Sequence, residues 1–280
     1  MKEPLVALET AVVTHGLPRP LNLEVARECE AAVLDGGARP VTIAVLDGRV
    51  RAGLEPAELE RLAADTTACK CAARDIGALV ATGRNGGTTV SGTLAIAAAA
   101  AIEVMSTGGI GGVHRGPDGD VSADLHQLSR SPVTVVSTGA KAILDLPRTL
   151  EYLDTLGVPV LGYQTAEFPG FYTAETGLRL SHRFDSIPAV VAAIHVYRSN
   201  GYGAAILVVQ PPPGGMAATD LEEALKDCLA GASDAGVTGA AVTPFLLAAL
   251  AAATSGRTLE INRRLLVANA KLAAEIAVQL

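Results

Sequence analysis

The run VSGTLAIAAAAAIEVMS, residues 90–106, decides the fold. Its first part, Val90 to Ala101, is dominated by alanine and carries no charge, so it reads as a buried helix. Ile102 to Met105 follows with no turn-forming residue between and reads as a strand. The most apolar stretch, Leu94 to Ile102, closes at Glu103 and falls far short of the ~20 residues a membrane-crossing helix requires. A helix that is apolar all round and feeds a strand belongs inside a packed domain.

The same alternation continues outward in both directions. Toward the N-terminus, Leu79 to Ala81 reads as a strand leading into the loop Gly83 to Gly87, Pro56 opens a short helix, and Val41 to Leu46 is a strand ended by the turn Asp47-Gly48. Before these, Leu5 to Leu8 reads as a strand, and Asn22 as the cap of a helix that puts Val25, Cys29 and Val33 on one face and ends at Gly36-Gly37. Toward the C-terminus come helix Ala123 to Leu128, strand Val133 to Val136, helix Ala140 to Leu146, and a further helix from Pro147. Strand Val158 to Leu161, helix Ile187 to Tyr197, strand Ala205 to Val209, and helices Pro244 to Ala253 and Leu259 to Val278 complete the chain. Strands joined by helical crossovers give an α/β fold with a largely parallel central sheet covered on both faces, a three-layer α/β/α arrangement. No linker, charge block or repeat divides residues 1–280, so one domain is expected.

Composition narrows the function. Hydrophobic side chains make up 49% of the 280 residues, enough for a full core. A net charge of -7 argues against a general nucleic-acid binder, so an anionic ligand needs a local cationic pocket. Cys29, Cys69, Cys71 and Cys228 occur without a recognisable signal peptide, which suggests free thiols in a cytoplasmic protein with no membrane partner. Cys69 and Cys71 lack a matching second pair and the five histidines lack ligand spacing, so a zinc hydrolase is not indicated.

Ligands of parallel α/β sheets gather at the carboxyl ends of strands, which singles out a few polar residues. Glu9 follows Val6-Ala7-Leu8 directly, and a carboxylate there is either paired with a cation or held for chemistry. His15 lies in a loop, Thr14 to Pro18, that returns to the same mouth. Gly83 to Thr89 and Thr107 to Gly112 are glycine-rich and rich in backbone amides, suited to a phosphate or simply to turns. Lys141 sits where an apolar strand is expected to turn into an apolar helix, a setting that either desolvates an amine into a nucleophile or merely solvates a surface charge. Ser122 and Asp124 suit a helix cap, and Asp120 offers one carboxylate, a thin site for a hard cation. Tyr163, Phe168, Phe171 and Tyr172 cluster around Pro169-Gly170, where they either pack in the core or meet a flat ligand or a neighbouring subunit.

Several of these runs together resemble the pseudouridine-5'-phosphate glycosidase family. They are Val6-Ala7-Leu8-Glu9, His15-Gly16-Leu17-Pro18, Thr107 to Gly116, Ser122-Ala123-Asp124-Leu125, Gly139-Ala140-Lys141 with Ile143-Leu144-Asp145, and Val242 to Leu247. The resemblance implies an α/β/α enzyme, usually a homotrimer, acting reversibly on the carbon–carbon bond between uracil C5 and ribose C1'. It makes Lys141 the Schiff-base nucleophile, Glu9 the acid, and His114 an aid near the sugar. Lys70 would hold phosphate with Thr88, Thr89 and Val90, while Ser122, Ala123, Asp124 and Asn262 would contact substrate, with Asn269 a second candidate. Asp120 would bind a divalent metal, manganese. The implied partners are a phosphosugar and an aromatic base.

The sequence departs from the family pattern at Thr10-Ala11, where Ser-Thr is usual, at Gln210-Pro211, where Asn-Pro is usual, and at Cys69, Cys71 and Ala73. These changes flank the expected base pocket. They keep open a C-glycosynthase that joins ribose 5-phosphate to another aromatic acceptor, and, more remotely, a phosphosugar-binding protein without catalysis.

Overall fold

The computed structural model describes residues 3–115, 120–237 and 242–280. Gly116 and the side chains of Thr243 and Pro244, all within the quoted motifs, lie outside that description. The described strands are β1 (Leu5–Leu8), β2 (Arg39–Leu46), β3 (Arg49–Ala52), β4 (Cys69–Cys71), β5 (Gly86–Thr88), β6 (Val104–Ser106), β7 (Val113–His114), β8 (Thr134–Ser137), β9 (Leu144–Asp145), β10 (Val160–Tyr163), β11 (Arg183–Phe184) and β12 (Ile206–Val209). The helices are α1 (Leu21–Asp35), α2 (Pro56–Ala64), α3 (Ile76–Ala81), α4 (Val90–Ala99), α5 (Ala123–Leu128), α6 (Leu146–Thr155), α7 (Ile187–Ser199), α8 (Ala218–Asp234), α9 (Val242–Ala253) and α10 (Arg257–Ala277).

Ten strands form one sheet in the order β11-β10-β12-β8-β6-β1-β2-β5-β4, with β3 paired to β2. Every pairing is parallel except β2 with β3 and β2 with β5. Strands β8 and β12 are buried along their whole length, as continuous β-branched runs in a covered parallel sheet should be. Helices α1 and α10 pack on each other and on β1, β2 and β6, while α4 lies against β1 and β2 beside α5. This is the expected α/β sheet flanked by helices. No described helix is long and apolar enough to cross a membrane.

The order β8-β6-β1 matters most, because the three strands run parallel and end together. Their next residues are Thr138, Thr107 and Glu9, so the sheet delivers three candidate segments to one rim. Helix α4 begins where β5 ends, at Thr89, whose hydroxyl caps it by accepting from Gly92 N at 3.4 Å. The first two turns of α4 are buried, through Val90, Ser91, Gly92, Thr93, Leu94, Ile96 and Ala97, whereas Ala99 at its end is exposed.

Several expected elements differ. Leu79 to Ala81 is part of helix α3, and Leu79 packs with Val45 and Cys71; a three-residue apolar run does not carry a period. The segment Ala140 to Leu146 is not a helix. Gly139 takes a φ of +66°, Ala140 bridges to Ile110, and a short ladder pairs Leu144 with His114. Asn22 does not cap α1: its amide donates to Val13 O at 2.7 Å and Ala63 O at 3.0 Å, bracing the turn after Glu9. Gly86 to Thr88 is a strand rather than a loop, and α8 carries no start signal that the sequence reading used. Phe168 and Tyr172 are core residues, buried to 0% and 2% exposure.

Candidate active site

The rim of β1, β6 and β8 opens into a cleft of about 420 Å³ lined by Glu9, Lys70, Thr89, Ser91, His114, Asp120, Ser122, Asp124 and Lys141, among others. A narrower apolar lobe joins it, formed by Val12, His15, Phe171, Leu247, Asn262 and Leu266. Glu9, Ala11, Lys70 and Lys141 border both spaces. Two cations and one carboxylate therefore sit at the junction of a polar half and an apolar half.

Each of these side chains is placed by backbone chemistry nearby. Glu9 leaves β1, and the chain then closes a π-helical turn over Val12–Gly16 that carries His15 to the apolar lobe. The Thr107 hydroxyl, first residue after β6, donates to Glu9 Oε1. Burial raises the Glu9 carboxyl above its ordinary value of 4.5, against the pull of Lys141, the Thr107 bond and Lys70. The acid thus keeps its proton to higher pH than a solvated carboxyl would. Lys70 lies in β4, where burial first and the Lys141 charge second lower its pKa, opposed by Asp124 and Glu9. His114 is lowered by burial, with Asp120 opposing and the two lysines adding.

Lys141 is set on a braced loop, not at a helix start. Its N–H donates to Ile110 O at 3.1 Å, and its carbonyl accepts from Leu144 N at 3.0 Å. Gly139 is obligatory two residues earlier, since a Cβ there would lie 1.9 Å from Pro169 O at a positive φ. Gly111 is constrained by space alone, because a Cβ would lie 2.2 Å from Ser122 Oγ and 2.7 Å from Asp124 Oδ2.

Of the residues expected at the site, Lys141, Glu9, Lys70, His114, Thr89, Ser122, Ala123, Asp124, Asp120 and Asn262 line the two joined spaces. Thr88 does not. It is fully buried, with its hydroxyl donating to Ile43 O and its N–H donating to Thr10 Oγ1, so nothing is left for a phosphate. The Val90 side chain is core, leaving its backbone in the first turn of α4. Asp124 lines the cleft but spends both oxygens on backbone amides, Ser91 N at 2.9 Å and Gly111 N at 2.8 Å. Ser122 caps α5 by accepting from Asp124 N at 3.2 Å. Asn269 is fully buried and braces the glycine loop, donating to Thr107 O at 2.8 Å and accepting from Gln210 at 2.8 Å. Asn262 is the asparagine that reaches the site, and its buried Oδ1 has no partner among the described residues.

No group of three or more His, Cys, Asp or Glu side chains with metal-binding geometry occurs among the described residues. Asp120 is exposed on the cleft rim, and its carbonyl accepts from His114 N at 2.8 Å. Among the described residues at this rim, Asp120 is the carboxylate on which a hard dication would rest, with water and ligand oxygens completing its shell. Residues that the sequence does not single out include Ser91, Arg74 and Leu266 in the linings, and Thr107 as the partner of Glu9. The Thr107–Glu9 bond spans 98 positions and leaves no local signal.

Comparison with known proteins places this geometry in company. The family model described as indigoidine synthase A like protein matches residues 1–279. A protein of Herpetosiphon aurantiacus named pseudouridine-5'-phosphate glycosidase is 50% identical over 282 residues, covering 99% of this chain and 93% of its own. One of the same name from Paracoccus denitrificans is 46% identical, with 99% and 93% covered. Among solved structures, an indigoidine synthase A-like protein from Thermotoga maritima superposes with a TM-score of 0.92 at 38% identity, covering 99% of this chain and 93% of that one. The prealnumycin C-glycosynthase AlnA, solved in complex with ribulose 5-phosphate, superposes with a TM-score of 0.89 at 37% identity, covering 98% and 90%.

Proposed function

We propose a function from one premise: the chain belongs to the indigoidine synthase A-like family, in which its curated relatives are named pseudouridine-5'-phosphate glycosidases. The chain is a C-glycosidase that interconverts pseudouridine 5'-phosphate plus water with uracil plus ribose 5-phosphate. The observation that carries this reading is the shared border of the two lobes, where Lys141, Lys70 and Glu9 meet. The polar lobe suits a phosphosugar and the apolar one a flat base.

A carbon leaving group needs an electron sink at C1', and an amine supplies one. Lys141 Nζ bonds to C1' as the C1'–O4' bond breaks, and O4' takes its proton from Glu9. The Glu9 carboxylate takes a proton from the new ammonium, the freed nitrogen lone pair forms the iminium as the C1'–C5 bond breaks, and C5 of uracil receives that proton. Water adds to the iminium carbon, the C1'–N bond breaks to return the amine, and ring closure gives ribose 5-phosphate. The raised pKa of Glu9 favours the protonated acid that ring opening needs. Lys70, with the Thr89 and Ser91 hydroxyls at the start of α4, anchors the phosphate, a source of binding energy remote from the bond that breaks. The unpartnered Asn262 Oδ1 suits an imide N–H of the base. Asp120 is the residue that would hold a divalent cation such as manganese, which when bound supplies positive charge for sugar or phosphate oxygens. The proposal extends to a cytoplasmic homotrimer, testable by sedimentation.

A second reading, a C-glycosynthase for another aromatic acceptor, is favoured by Ala11 at the lobe junction and by the likeness to AlnA. Incubation with ribose 5-phosphate, borohydride reduction and peptide mapping test the shared chemistry. Attachment is expected at Lys141, and attachment elsewhere, or none, overturns both readings. Turnover with uracil separates them, since a synthase for another acceptor gives no product from uracil.

A further inference from the structure

Lys141 is fixed on its N-terminal side by the bond from its N–H to Ile110 O, but on its C-terminal side the loop is held differently. Arg115 reaches across from the end of β7. Its Nε donates to Leu144 O at 3.1 Å and its Nη2 to Ala142 O at 3.4 Å. The same guanidinium is gripped from outside by Glu222 of α8, with Nη1 to Oε2 at 3.1 Å and Nη2 to Oε1 at 2.8 Å. That fork-to-fork pairing holds the Glu222 carboxyl below its usual range.

Ala142, Ile143 and Leu144 are buried in the core and Leu144 pairs with His114, and Arg115 adds a directional tie where the loop also borders open volume. Ala142, Leu144 and Asp145 border a second cavity of about 430 Å³, with Arg115 and Glu222 also in its lining. Leu144 contributes to the walls of both spaces. Beyond that packing, the two carbonyls Ala142 O and Leu144 O are held in direction by the Arg115 guanidinium.

We propose that Arg115 is a positioning residue for the Lys141 amine, and that Glu222 keeps Arg115 in place from α8. The proposal rests on the imine chemistry of the preceding reading. Neither side chain touches substrate. Arg115 holds two carbonyls of the loop that carries the nucleophile, and Glu222 orients the fork that holds them. Displacing a reacting group by about 1 Å can lower turnover about 100-fold with little effect on substrate affinity.

The test compares wild type, Arg115→Met, Arg115→Lys, Glu222→Gln and the Arg115→Met/Glu222→Gln double variant. Imine formation from ribose 5-phosphate is quenched with borohydride in single turnovers, alongside steady-state kcat and KM. Arg115→Met is expected to slow imine formation and kcat together by about 10- to 100-fold, with KM within about threefold and the denaturation midpoint showing a folded protein. Arg115→Lys restores part of the rate. Glu222→Gln shows a smaller loss, and the double variant is no slower than Arg115→Met, as expected of two residues acting in series. Unchanged imine formation in Arg115→Met overturns the proposal, as does a kcat loss matched by the rise in KM or by the loss of folded protein. A wild-type protein that forms no imine at all overturns the functional reading itself, a different result from a wild type that reacts and an Arg115→Met that reacts equally fast.

Discussion

Replacing Asp124 separates a structural carboxylate from a substrate ligand. The side chain is 5% exposed, and its two oxygens accept from Ser91 N at 2.9 Å and Gly111 N at 2.8 Å. It therefore joins the first turn of α4 to the glycine loop after β6. A hydrogen bond to a charged group contributes about 1.5–3 kcal/mol, so Asp124→Ala, which strands two buried amides, should cost about 3–6 kcal/mol. Asp124→Asn keeps one acceptor and turns an NH2 toward the other amide, at about 1–3 kcal/mol. Urea denaturation followed by circular dichroism, at matched protein concentration, measures both. Asp124 also acts on Glu9 and Lys70 through space, raising both pKa values, so the amide variant should lower both. In the pH profile of kcat for Asp124→Asn, the limb set by protonated Glu9 then falls at lower pH. The KM for ribose 5-phosphate should move only a fewfold. An Asp124→Asn protein as stable as wild type but with its phosphosugar affinity abolished would refute the reasoning, because the carboxylate would then be bonding to substrate.

Glu9→Gln should stabilise the protein at pH 8 while abolishing turnover. The folded-state pKa is raised, so ionising Glu9 costs stability as pH rises above its ordinary value of 4.5, and the gain should vanish near pH 4; a variant less stable than wild type at pH 8 contradicts this. Lys70 is depressed in the free site and phosphate should restore its charge, so binding at alkaline pH should take up protons, read by calorimetry in buffers of different ionisation enthalpy. Gly139→Ala sets a methyl 1.9 Å from Pro169 O at a φ of +66° and should cost at least ~1–3 kcal/mol with a fall in kcat, measured by denaturation and steady-state rates. Asn262→Ala should raise the KM for uracil about 10-fold or more while leaving that for ribose 5-phosphate within about twofold, since the amide serves only the apolar lobe.

What could be read in the sequence was what repeats locally. The strand ending at Leu8, the alanine helix from Val90 and the helix Ala123–Leu128 each carry composition or capping in consecutive residues, and each was legible. Lys141 is legible in the sequence but its setting is not, because Ala140 to Leu146 is apolar enough for a helix and only distant contacts, Gly139 with Pro169, Ala140 with Ile110 and Leu144 with His114, decide otherwise. Thr88 looked like a phosphate ligand in a glycine-rich run, whereas its pairing with Thr10 and Ile43 depends on strands far apart in the chain. The choice between Asn262 and Asn269 was beyond the sequence for a similar reason. The two lie seven residues apart on α10, both buried, and differ only in whether the glycine loop or the cleft faces them.

The electrostatics of the cleft bear on why a phosphate belongs in the substrate. The chain carries a net charge of -7, yet Lys70, Lys141 and Arg74 all line one space. The carboxylates near them are largely committed elsewhere: Asp124 to two amides, and Asp75 in part to Ala72 N at 3.0 Å. Glu9 is pushed toward its neutral form by burial. Among the described residues Asp124 and Glu9 offset the lysines only in part, and Lys70 is lowered by burial first and by Lys141 second. A dianion seated against Lys70 would offset that repulsion and leave Lys141 bordering the sugar. The anion would then do two things at once, binding the substrate and completing a site that the protein alone leaves electrostatically unfinished.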